Sequence, residues 1–365
     1  MLRDDLSKFP DYRPGKSAPG ALKLSANEMT QPPLPAAIEA MAEACAQGNR
    51  YPVAGCPDLT DELASELGLP TDHIAITPGA SAVVQQAVMM TCTKGDEVLF
   101  PWRSFEAYPL YARVAGAEPV TVPLTEDHRL DLPAVLAAIT DRTRIIILCN
   151  PNNPTGTTIT RAEFRDFMAQ VPSDIVVVLD EAYYEFNRVT DTPNAAEEVQ
   201  QYPNLIGART FSKAYALAGL RVGYGFGNPE LMNGLNLLAL PLTVTSIAEQ
   251  SAIASLRAKD QLDARINETI EQRERVAQAL GGVASQTNFV FLPTDEGADM
   301  EAKMAEQNVI IRYFPGSGIR VSITDTVETD QFLEAWRAAG LPLAESVSPA
   351  ATQTAAQGMN RKEFT

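Results

Sequence analysis

Short, continuous apolar runs alternate with helix-like patterns along most of this chain. Residues 144–149 and 174–180 contain such runs, and an uninterrupted apolar run of this length is typical of a strand buried on both faces of a parallel sheet. Shorter runs at residues 73–77, 97–100 and 119–122 also predict strands. The repeated order of strand, helix and strand predicts an α/β fold with a mostly parallel, doubly wound sheet.

Helical spacing of apolar residues fills the segments between these strands. It occurs at residues 35–47, 58–68 and 105–115, and a further helix is expected to begin at Ser81 after a turn. Residues 160–163, Thr-Arg-Ala-Glu, match a capping box at the start of a helix. These helices would cover both faces of the predicted sheet.

The pattern changes after about residue 260. Leu262, Ile266 and Ile270 lie on one face of a long predicted helix, and residues 288–291 and 318–323 read as strands. The sequence therefore predicts a second, smaller α+β domain. The predicted organisation is an N-terminal arm at 1–35 that contributes to the small domain, a large domain at 36–258, the C-terminal part of the small domain at 259–342, and a flexible tail at 343–365.

Composition narrows the classes of partner. The chain has 365 residues, with 29 basic and 46 acidic side chains and a net charge of −17, which argues against nucleic acid or an anionic membrane as a partner. Four scattered cysteines and two histidines predict neither a zinc site nor a disulfide framework. Residues 1–6 lack the apolar run of a signal peptide, and the apolar stretch at 237–244 is short and interrupted by Pro241. A soluble, cytoplasmic protein is expected.

The most specific chemistry lies at residues 209–221, Arg-Thr-Phe-Ser-Lys-Ala-Tyr-Ala-Leu-Ala-Gly-Leu-Arg. A single lysine is almost always a solvated surface charge. A lysine that bonds covalently to a carbonyl cofactor needs a desolvated pocket that lowers its pKa, and Lys213 lies between hydroxyl-bearing residues. Thr210, Ser212 and Arg221 suit an anionic cofactor tail. The segment resembles the lysine loop of a pyridoxal 5′-phosphate (PLP) enzyme.

Two further polar groups follow predicted strands. Asp180 ends one apolar run, and the turn at residues 150–156, Asn-Pro-Asn-Asn-Pro-Thr-Gly, follows another. Ligands gather at the carboxyl ends of parallel strands, so Asp180 is placed to face a pyridinium nitrogen. Proline and asparagine clusters are usually only turns, but turn chemistry alone does not explain an asparagine, aspartate, lysine and arginine in this order.

These segments resemble the fold-type-I aminotransferases, over roughly residues 5 to 340. Within that group the chain is similar to the histidinol-phosphate aminotransferase family, and in it to an actinobacterial branch of aromatic-amino-acid aminotransferases. The lysine loop and residues 153–156, Asn-Pro-Thr-Gly, carry the superfamily resemblance. Residues 100–108 and 180–183 carry the resemblance to the branch.

The resemblance implies PLP as the cofactor and gives the candidate residues their roles. Lys213, Asp180 and Tyr183 form the implied catalytic set. Lys213 would bond to the cofactor and later move a proton, and Asp180 would hold the pyridine nitrogen protonated. Tyr183 and Asn153 would bond the phenolic oxygen, and Phe105 would stack on the ring. The other implied cofactor-binding residues are Gly79, Ala80, Ser81, Thr210, Ser212, Arg221 and, reaching the neighbouring subunit's phosphate, Tyr51.

The resemblance also implies a set of substrate-binding residues. Arg320 would hold the α-carboxylate bidentately, Arg312 is a second candidate anion contact, and Asn27 lies on an arm that closes over the substrate. A lone arginine on an edge strand is more often solvated, so Arg320 depends on the resemblance. Tyr108 is assigned to the substrate, although the choice between Phe105 and Tyr108 as the stacking ring stays open.

The resemblance implies a homodimer with shared sites that transfers an amino group between an aromatic amino acid and a 2-oxo acid such as 2-oxoglutarate. Histidinol-phosphate enzymes usually carry a tyrosine that contacts the substrate phosphate where this chain has Gln31, and the loss of that contact weakens the histidinol-phosphate assignment. Histidinol-phosphate amino transfer stays the alternative function. Lyases and decarboxylases use the same lysine loop and also stay open. A DNA-binding regulator is disfavoured because the Pro-rich residues 1–35 cannot form a DNA-binding domain.

Overall fold

The computed structural model describes Phe9 and residues 18–344. The predicted tail from residue 345 onward, and most of the first half of the predicted arm, lie outside the described residues. The strands are β1 (Leu22–Lys23), β2 (Ile74–Thr77), β3 (Glu97–Trp102), β4 (Glu118–Pro123), β5 (Thr143–Cys149), β6 (Val176–Asp180), β7 (Leu205–Thr210), β8 (Gly223–Gly227), β9 (Phe289–Pro293), β10 (Val309–Ile310), β11 (Arg312–Phe314) and β12 (Gly318–Ser322).

The helices follow the predicted alternation. They are α1 (Pro35–Cys45), α2 (Pro57–Leu67), α3 (Ala80–Thr91), α4 (Tyr108–Ala115), α5 (Leu132–Ala137), α6 (Arg161–Met168), α7 (Ala195–Glu198), α8 (Pro229–Leu238), α9 (Ser246–Arg257), α10 (Lys259–Leu280), α11 (Gly297–Glu306) and α12 (Thr326–Ala338). Within the described part of the chain, no helix is both long enough and apolar enough to cross a membrane.

Seven strands form the large sheet, in the order β2-β8-β7-β6-β5-β3-β4. β8 runs antiparallel to both of its neighbours, and the pairs from β7 to β4 are parallel. The predicted α/β architecture with a mostly parallel sheet is confirmed.

Alternation along the central strands builds one core on each face of the large sheet. In β5, Ile145 and Ile147 belong to one buried cluster, whereas Ile146 and Leu148 belong to the other. Successive strand residues point to opposite faces, so an unbroken apolar run is needed where both faces are covered. This is the reason that the sequence of β5 reads as continuous apolar residues.

The register aligns the carboxyl ends of the central strands. Cys149 of β5 pairs with Asp180 of β6, and Asp180 in turn pairs with Ala208 of β7. Thr210 at the end of β7 pairs with Gly223 at the start of antiparallel β8. The loops that carry Asn153, Asp180, Lys213 and Arg221 consequently leave the sheet at one edge.

A small sheet of three antiparallel strands, in the order β11-β12-β9, has a core of its own. Residues 276–341 supply most of that core, together with Leu24 from the N-terminal arm. β1 of the arm pairs in parallel with β10, and the backbone N–H of Ser322 donates to the carbonyl of Leu24 over 2.9 Å. The arm thus packs with the C-terminal elements.

Two local predictions were wrong. The helix expected at 105–115 begins only at Tyr108, because Pro109 lacks a backbone N–H and is tolerated only in a first helical turn. Arg320 does not lie on an edge strand, since β12 is the central strand of the small sheet. The run Arg312–Phe314, which the sequence pattern did not identify as a strand, covers its outer side.

Candidate active site

A cavity of about 390 Å³ lies between the edge of the large sheet and the small sheet. Most of the predicted site residues line it. These are Asn27, Ala80, Ser81, Phe105, Asn153, Asp180, Tyr183, Thr210, Ser212, Lys213, Arg221, Arg312 and Arg320. Residues more than 290 positions apart in the sequence therefore meet at one site.

Lys213 lies in the loop that follows β7. Turn hydrogen bonds hold this loop, since the Ser212 N–H donates to Thr210 Oγ1 over 3.1 Å and the Ala216 N–H donates to the carbonyl of Lys213 over 2.9 Å. The Lys213 ammonium donates to the carbonyl oxygen of Ala26 in the arm over 3.4 Å. The amine is thereby held inside the cavity rather than extended into solvent.

Burial, followed by the positive charge of Arg320, lowers the pKa of Lys213 from 10.5 to about 8. At pH 7.5 a pKa of about 8 leaves roughly a quarter of the amine unprotonated, against about a thousandth at the unperturbed value. Only the unprotonated amine is nucleophilic, so the site raises the reactive fraction of Lys213 at neutral pH.

Asp180 lies opposite, at the end of β6, and is buried. Its Oδ2 accepts a hydrogen bond from the Tyr108 hydroxyl over 2.7 Å, and its Oδ1 accepts one from the backbone N–H of Ala182 over 3.1 Å. Burial raises the pKa of Asp180 in spite of these two donors. A cationic group bound beside Asp180 would compensate the buried carboxylate charge.

Replacing Tyr108 by Phe should destabilise the protein by about 1–3 kcal/mol. The loss arises because a buried carboxylate would lose one of its two donors, while the ring contacts of Tyr108 with Phe100 and Phe105 would remain. The free energy of unfolding, measured by denaturant titration at pH 7, tests this. A Tyr108→Phe variant as stable as the wild type would show that the hydroxyl bond contributes nothing.

The N-terminus of α3 is pressed against β8 and Arg221. A Cβ at Gly79, whose φ is +87°, would lie 2.8 Å from Arg221 Nη2, and a Cβ at Gly223 would lie 2.6 Å from the backbone nitrogen of Ala80. Only residues without a Cβ allow this approach. The first N–H groups of a helix have no partner within the helix and attract anions, so this end of the cavity suits a phosphate.

Hydroxyl and guanidinium donors complete this anion-binding end. Thr210 Oγ1 donates to Ser212 Oγ over 3.0 Å, and Arg221 Nη1 contacts Ser212 Oγ over 3.4 Å. Arg221 also donates to the carbonyl of Ala218 over 2.9 Å, which fixes the orientation of its guanidinium group. The helix terminus, two hydroxyls and one arginine therefore converge at one end of the cavity.

The residues predicted for the cofactor and for the substrate are hydrogen-bonded to each other. Arg320 Nη1 donates to Asn153 Oδ1, and Asn27 Nδ2 donates to the Tyr183 hydroxyl over 2.9 Å. Arg320 also donates to the carbonyl of Ser25 over 2.8 Å. The arm therefore links the small sheet to the carboxyl end of the large sheet across the cavity.

Three predicted site residues, Tyr108, Gly79 and Tyr51, do not line the cavity. Phe105 lines the cavity, whereas Tyr108 is fully buried behind it and contacts Asp180. Tyr108 does not line the cavity, so its position does not support the expectation that it contacts substrate. Gly79 flanks the cavity without lining it. Tyr51 is 88% exposed and does not line the cavity of its own chain, so its predicted role in a neighbouring subunit stays a prediction.

Sequence reasoning missed several residues of the cavity wall. Glu106 pairs with the predicted Arg312 over 2.7 Å, and Lys23 pairs with Glu28 over 2.7 Å; of these four residues only Arg312 was predicted. Glu106 directly follows Phe105 in the segment that carried part of the resemblance, so its position could have been suspected. Nothing in the sequence pattern indicated Phe314, which reaches the cavity only because β11 forms.

Comparison with known proteins agrees with this geometry. A sequence profile of the family described as aminotransferase class I and II matches residues 19–335. Among curated relatives, the chain is 53% identical over 338 residues to the aromatic amino acid aminotransferase of Corynebacterium glutamicum strain R, covering 93% of this chain and 99% of the relative. It is 54% identical over 339 residues to the protein of the same name from Corynebacterium efficiens, with the same coverage.

Among solved structures, one similar fold is the histidinol-phosphate aminotransferase from Sinorhizobium meliloti in complex with pyridoxal-5′-phosphate. The two share 28% identity with a TM-score of 0.81, over 87% of this chain and 90% of that one. Profile, relatives and fold agree with a site that combines a lysine of lowered pKa, a buried aspartate and an anion-binding helix terminus. The chain belongs to the class I and II aminotransferase family.

Proposed function

We propose that this aminotransferase uses PLP to transfer the amino group of an aromatic amino acid to a 2-oxo acid. The observation that carries the cofactor assignment is the position of Lys213 and Asp180 in one cavity, with the pKa of the lysine lowered to about 8. An amine that is nucleophilic at neutral pH and a buried carboxylate are the two groups that PLP chemistry needs from a protein.

The residues present fit PLP at both of its ends. The close approach of α3 to Gly223 and Arg221 leaves backbone N–H groups, hydroxyls and a guanidinium for a phosphate. Asp180 is buried at the other end, where a cation would compensate its charge. When bound, PLP supplies an electron sink that stabilises negative charge on the substrate Cα. Phe105 lies in the cavity wall, as a ring-stacking residue requires.

The residues of this chain would then act by binding, orienting and moving a proton. Lys213 is the amine that can attack a carbonyl and, once released, can move the proton at Cα as general base and acid. Asp180, held by Tyr108 and the Ala182 N–H, would keep a facing nitrogen protonated. Tyr183, whose pKa is raised by burial, would stay a neutral hydrogen-bond donor.

Arg320 is proposed to hold the substrate α-carboxylate. Its guanidinium group is buried and lies over the rings of Phe289 and Phe314, each about 5.3 Å from the Cζ atom. Those contacts limit its movement, so a planar, bidentate carboxylate contact is geometrically favoured. Asn27, bonded to Tyr183 and to Ser322, is proposed to close the arm over the bound substrate.

An aromatic amino acid is proposed in preference to histidinol phosphate. Curated relatives about half identical over nearly the whole chain are named aromatic amino acid aminotransferases. Gln31, which stands where a phosphate-contacting tyrosine would fall, directs its amide toward Glu268 of α10 over 3.4 Å. Its side chain does not line the described cavity.

We also propose a homodimer with shared sites and a two-domain chain divided near residue 258. Tyr51 is 88% exposed, and Leu237 near the end of α8 and Leu240 just after it are 76% and 75% exposed; a second copy of the chain would cover them. The separate core of the C-terminal elements supports the proposed small domain, since a domain has its own hydrophobic core.

A single-turnover comparison tests the substrate proposal. The PLP-loaded protein is mixed separately with phenylalanine and with L-histidinol phosphate, and loss of the absorbance of lysine-bound PLP is followed. We expect conversion by phenylalanine to be at least about tenfold faster, because one missing polar contact in a site is worth about 1–3 kcal/mol. Faster conversion by histidinol phosphate would replace the proposed substrate with the alternative.

A further inference from the structure

We propose that Asn152 is a positioning residue, which holds the segment before Phe105 and so fixes the ring of Phe105 in the cavity wall. This role rests on the proposed function, because it concerns the ring that would stack on the cofactor. Asn152 is fully buried and does not line the cavity, so it would act only through the residues that it contacts.

Phe105 lies in a segment that no strand or helix holds. The segment runs from the end of β3 at Trp102 to the start of α4 at Tyr108. Buried backbone groups in such a segment need hydrogen-bond partners from elsewhere in the molecule. A ring that stacks on a flat ligand also needs a fixed position, since aromatic contacts depend on geometry. The position of Phe105 consequently depends on what holds the residues next to it.

Asn152 supplies such partners directly before Phe105. Its Nδ2 donates to the carbonyl of Arg103 over 3.1 Å, and its Oδ1 accepts from Ser104 Oγ over 2.9 Å. Nδ2 also donates to Thr155 Oγ1 over 2.9 Å. An amide has two donor hydrogens and one acceptor oxygen, so every polar atom of the side chain is used. Two of the three bonds hold the residues that lead into Phe105.

Asn152 is itself fixed by its backbone. Its N–H donates to the carbonyl of Thr157 over 2.9 Å, and its carbonyl accepts from the N–H of Gly156 over 2.7 Å. The ring of Phe105 in turn meets the ring of Tyr108 edge to face, with centroids 5.5 Å apart. The stacking candidate is therefore held by an anchored amide through its backbone and by a buried tyrosine through its ring.

Two neighbouring asparagines of one turn would then have separate tasks. Asn153 lines the cavity and is the residue assigned to the cofactor, whereas the side chain of Asn152 bonds to Arg103 and Ser104. Replacing Asn152 should therefore weaken binding of the cofactor ring without removing a group that touches the cofactor.

The test titrates the full-length, cofactor-free protein with pyridoxamine 5′-phosphate. This compound has the ring and the phosphate of PLP but cannot bond covalently to Lys213. Asn152→Ala should weaken its binding at least about fivefold, the effect expected when an aromatic contact is lost. The affinity for inorganic phosphate, which has no ring, is measured by competition and should change less than about twofold.

A double-variant cycle separates a role through Phe105 from a general loss of structure. Phe105→Leu removes the ring and should weaken pyridoxamine phosphate binding by a similar factor. Adding Asn152→Ala to Phe105→Leu should then cost less than about twofold more, because two changes that act through one contact are not additive.

Asn150 provides a matched control in the same turn. It is also buried, but its Nδ2 donates to Thr192 Oγ1 over 2.9 Å and its Oδ1 accepts from the N–H of Ile159 over 3.0 Å. Neither partner belongs to the segment of Phe105. Asn150→Ala should lower the thermal midpoint of unfolding as Asn152→Ala does, and leave the affinity for pyridoxamine phosphate within about twofold.

Ser104→Ala keeps the proposal testable if Asn152→Ala does not fold. It removes only the hydrogen bond to Asn152 Oδ1 and leaves the buried amide in place. Binding of pyridoxamine phosphate should weaken about two- to threefold, and this loss should also disappear in the Phe105→Leu background.

Two results would overturn the positioning role. One is wild-type affinity for pyridoxamine phosphate in Asn152→Ala, and the other is a loss of affinity that persists in full in the Phe105→Leu background. A wild-type protein that bound no pyridoxamine phosphate would instead overturn the proposed function, and the positioning role with it. The two failures are therefore distinguishable, and neither measurement depends on turnover.

Discussion

Replacement of Lys213 by alanine is expected to lower the rate of amino transfer by at least about 10³-fold, because one substitution removes both the nucleophile and the group that moves the proton. Bound PLP should also lose the absorbance of its lysine-bound form. Both quantities are measured on the purified variant after loading with PLP, the first by coupled assay and the second by spectrophotometry. The spectroscopic readout does not require turnover.

Lys23 provides a matched control for Lys213. It also lines the cavity, but it is paired with Glu28 over 2.7 Å. Lys23→Ala should therefore retain the absorbance of lysine-bound PLP. If Lys213→Ala kept wild-type activity, or if Lys23→Ala lost the covalent attachment instead, the assignment of the reactive amine would be wrong.

Replacement of Asp180 by asparagine should lower the rate of amino transfer by about 10²–10³-fold, in the range seen when a preorganised electrostatic partner is removed. An amide of the same shape carries no negative charge, so it cannot keep a facing ring nitrogen protonated. The affinity for PLP, measured by equilibrium titration of the cofactor-free protein, should fall in parallel.

The same substitution should have a different effect on the cofactor-free protein. Burial raises the pKa of Asp180 above its value in the unfolded chain, so the folded protein binds a proton more tightly than the unfolded one. The stability that this provides is present at low pH and is lost as pH rises through the folded-state pKa. Asp180→Asn removes this dependence.

Urea titrations at several pH values measure this pH dependence of the free energy of unfolding. The free energy of unfolding of the cofactor-free wild type should decrease relative to that of Asp180→Asn as pH rises from about 4 to 8. Parallel pH profiles for the two proteins would show that burial does not raise the pKa of this carboxyl. Asp180→Glu should recover part of the activity, because it restores the charge although not the position.

Local chemistry explains why much of the fold could be predicted. The unbroken apolar run of β5 can be satisfied only by a strand buried on both faces, and Ile145 to Leu148 alternate between two cores as that reading requires. The capping box likewise depends only on residues close together in the sequence, and Thr160 and Glu163 form it as expected. Elements that depend only on residues close together in the sequence therefore appear in the structure almost as predicted.

The helix α4 and the strand β11 show where such patterns are insufficient. The start of α4 depends on where Pro109 can be tolerated, and apolar spacing alone does not contain that information. β11 is a strand because it pairs with β12, so its existence depends on a neighbour in space. Because β11 pairs with the outer side of β12, Arg320 lies on a central strand and not at an edge.

The amino-acid sequence alone points to the residues that are proposed to perform chemistry. Lys213, Asp180, Asn153 and Arg221 could be identified because each belongs to a motif that chemistry restricts, and the parallel-strand rule placed them at one edge of a sheet. Their convergence on a single cavity follows from the strand register.

Which side chains modify those residues depends on contacts that exist only in the folded protein. The hydrogen bond from Tyr108 to Asp180, the contact of Lys213 with the arm, and the pairing of Glu106 with Arg312 join segments separated by dozens to hundreds of residues. Such contacts depend on distances of a few ångströms between separate elements, and the pattern of one chain does not fix those distances. The sequence thus indicates the groups proposed to react, and the folded structure sets their charge, exposure and partners.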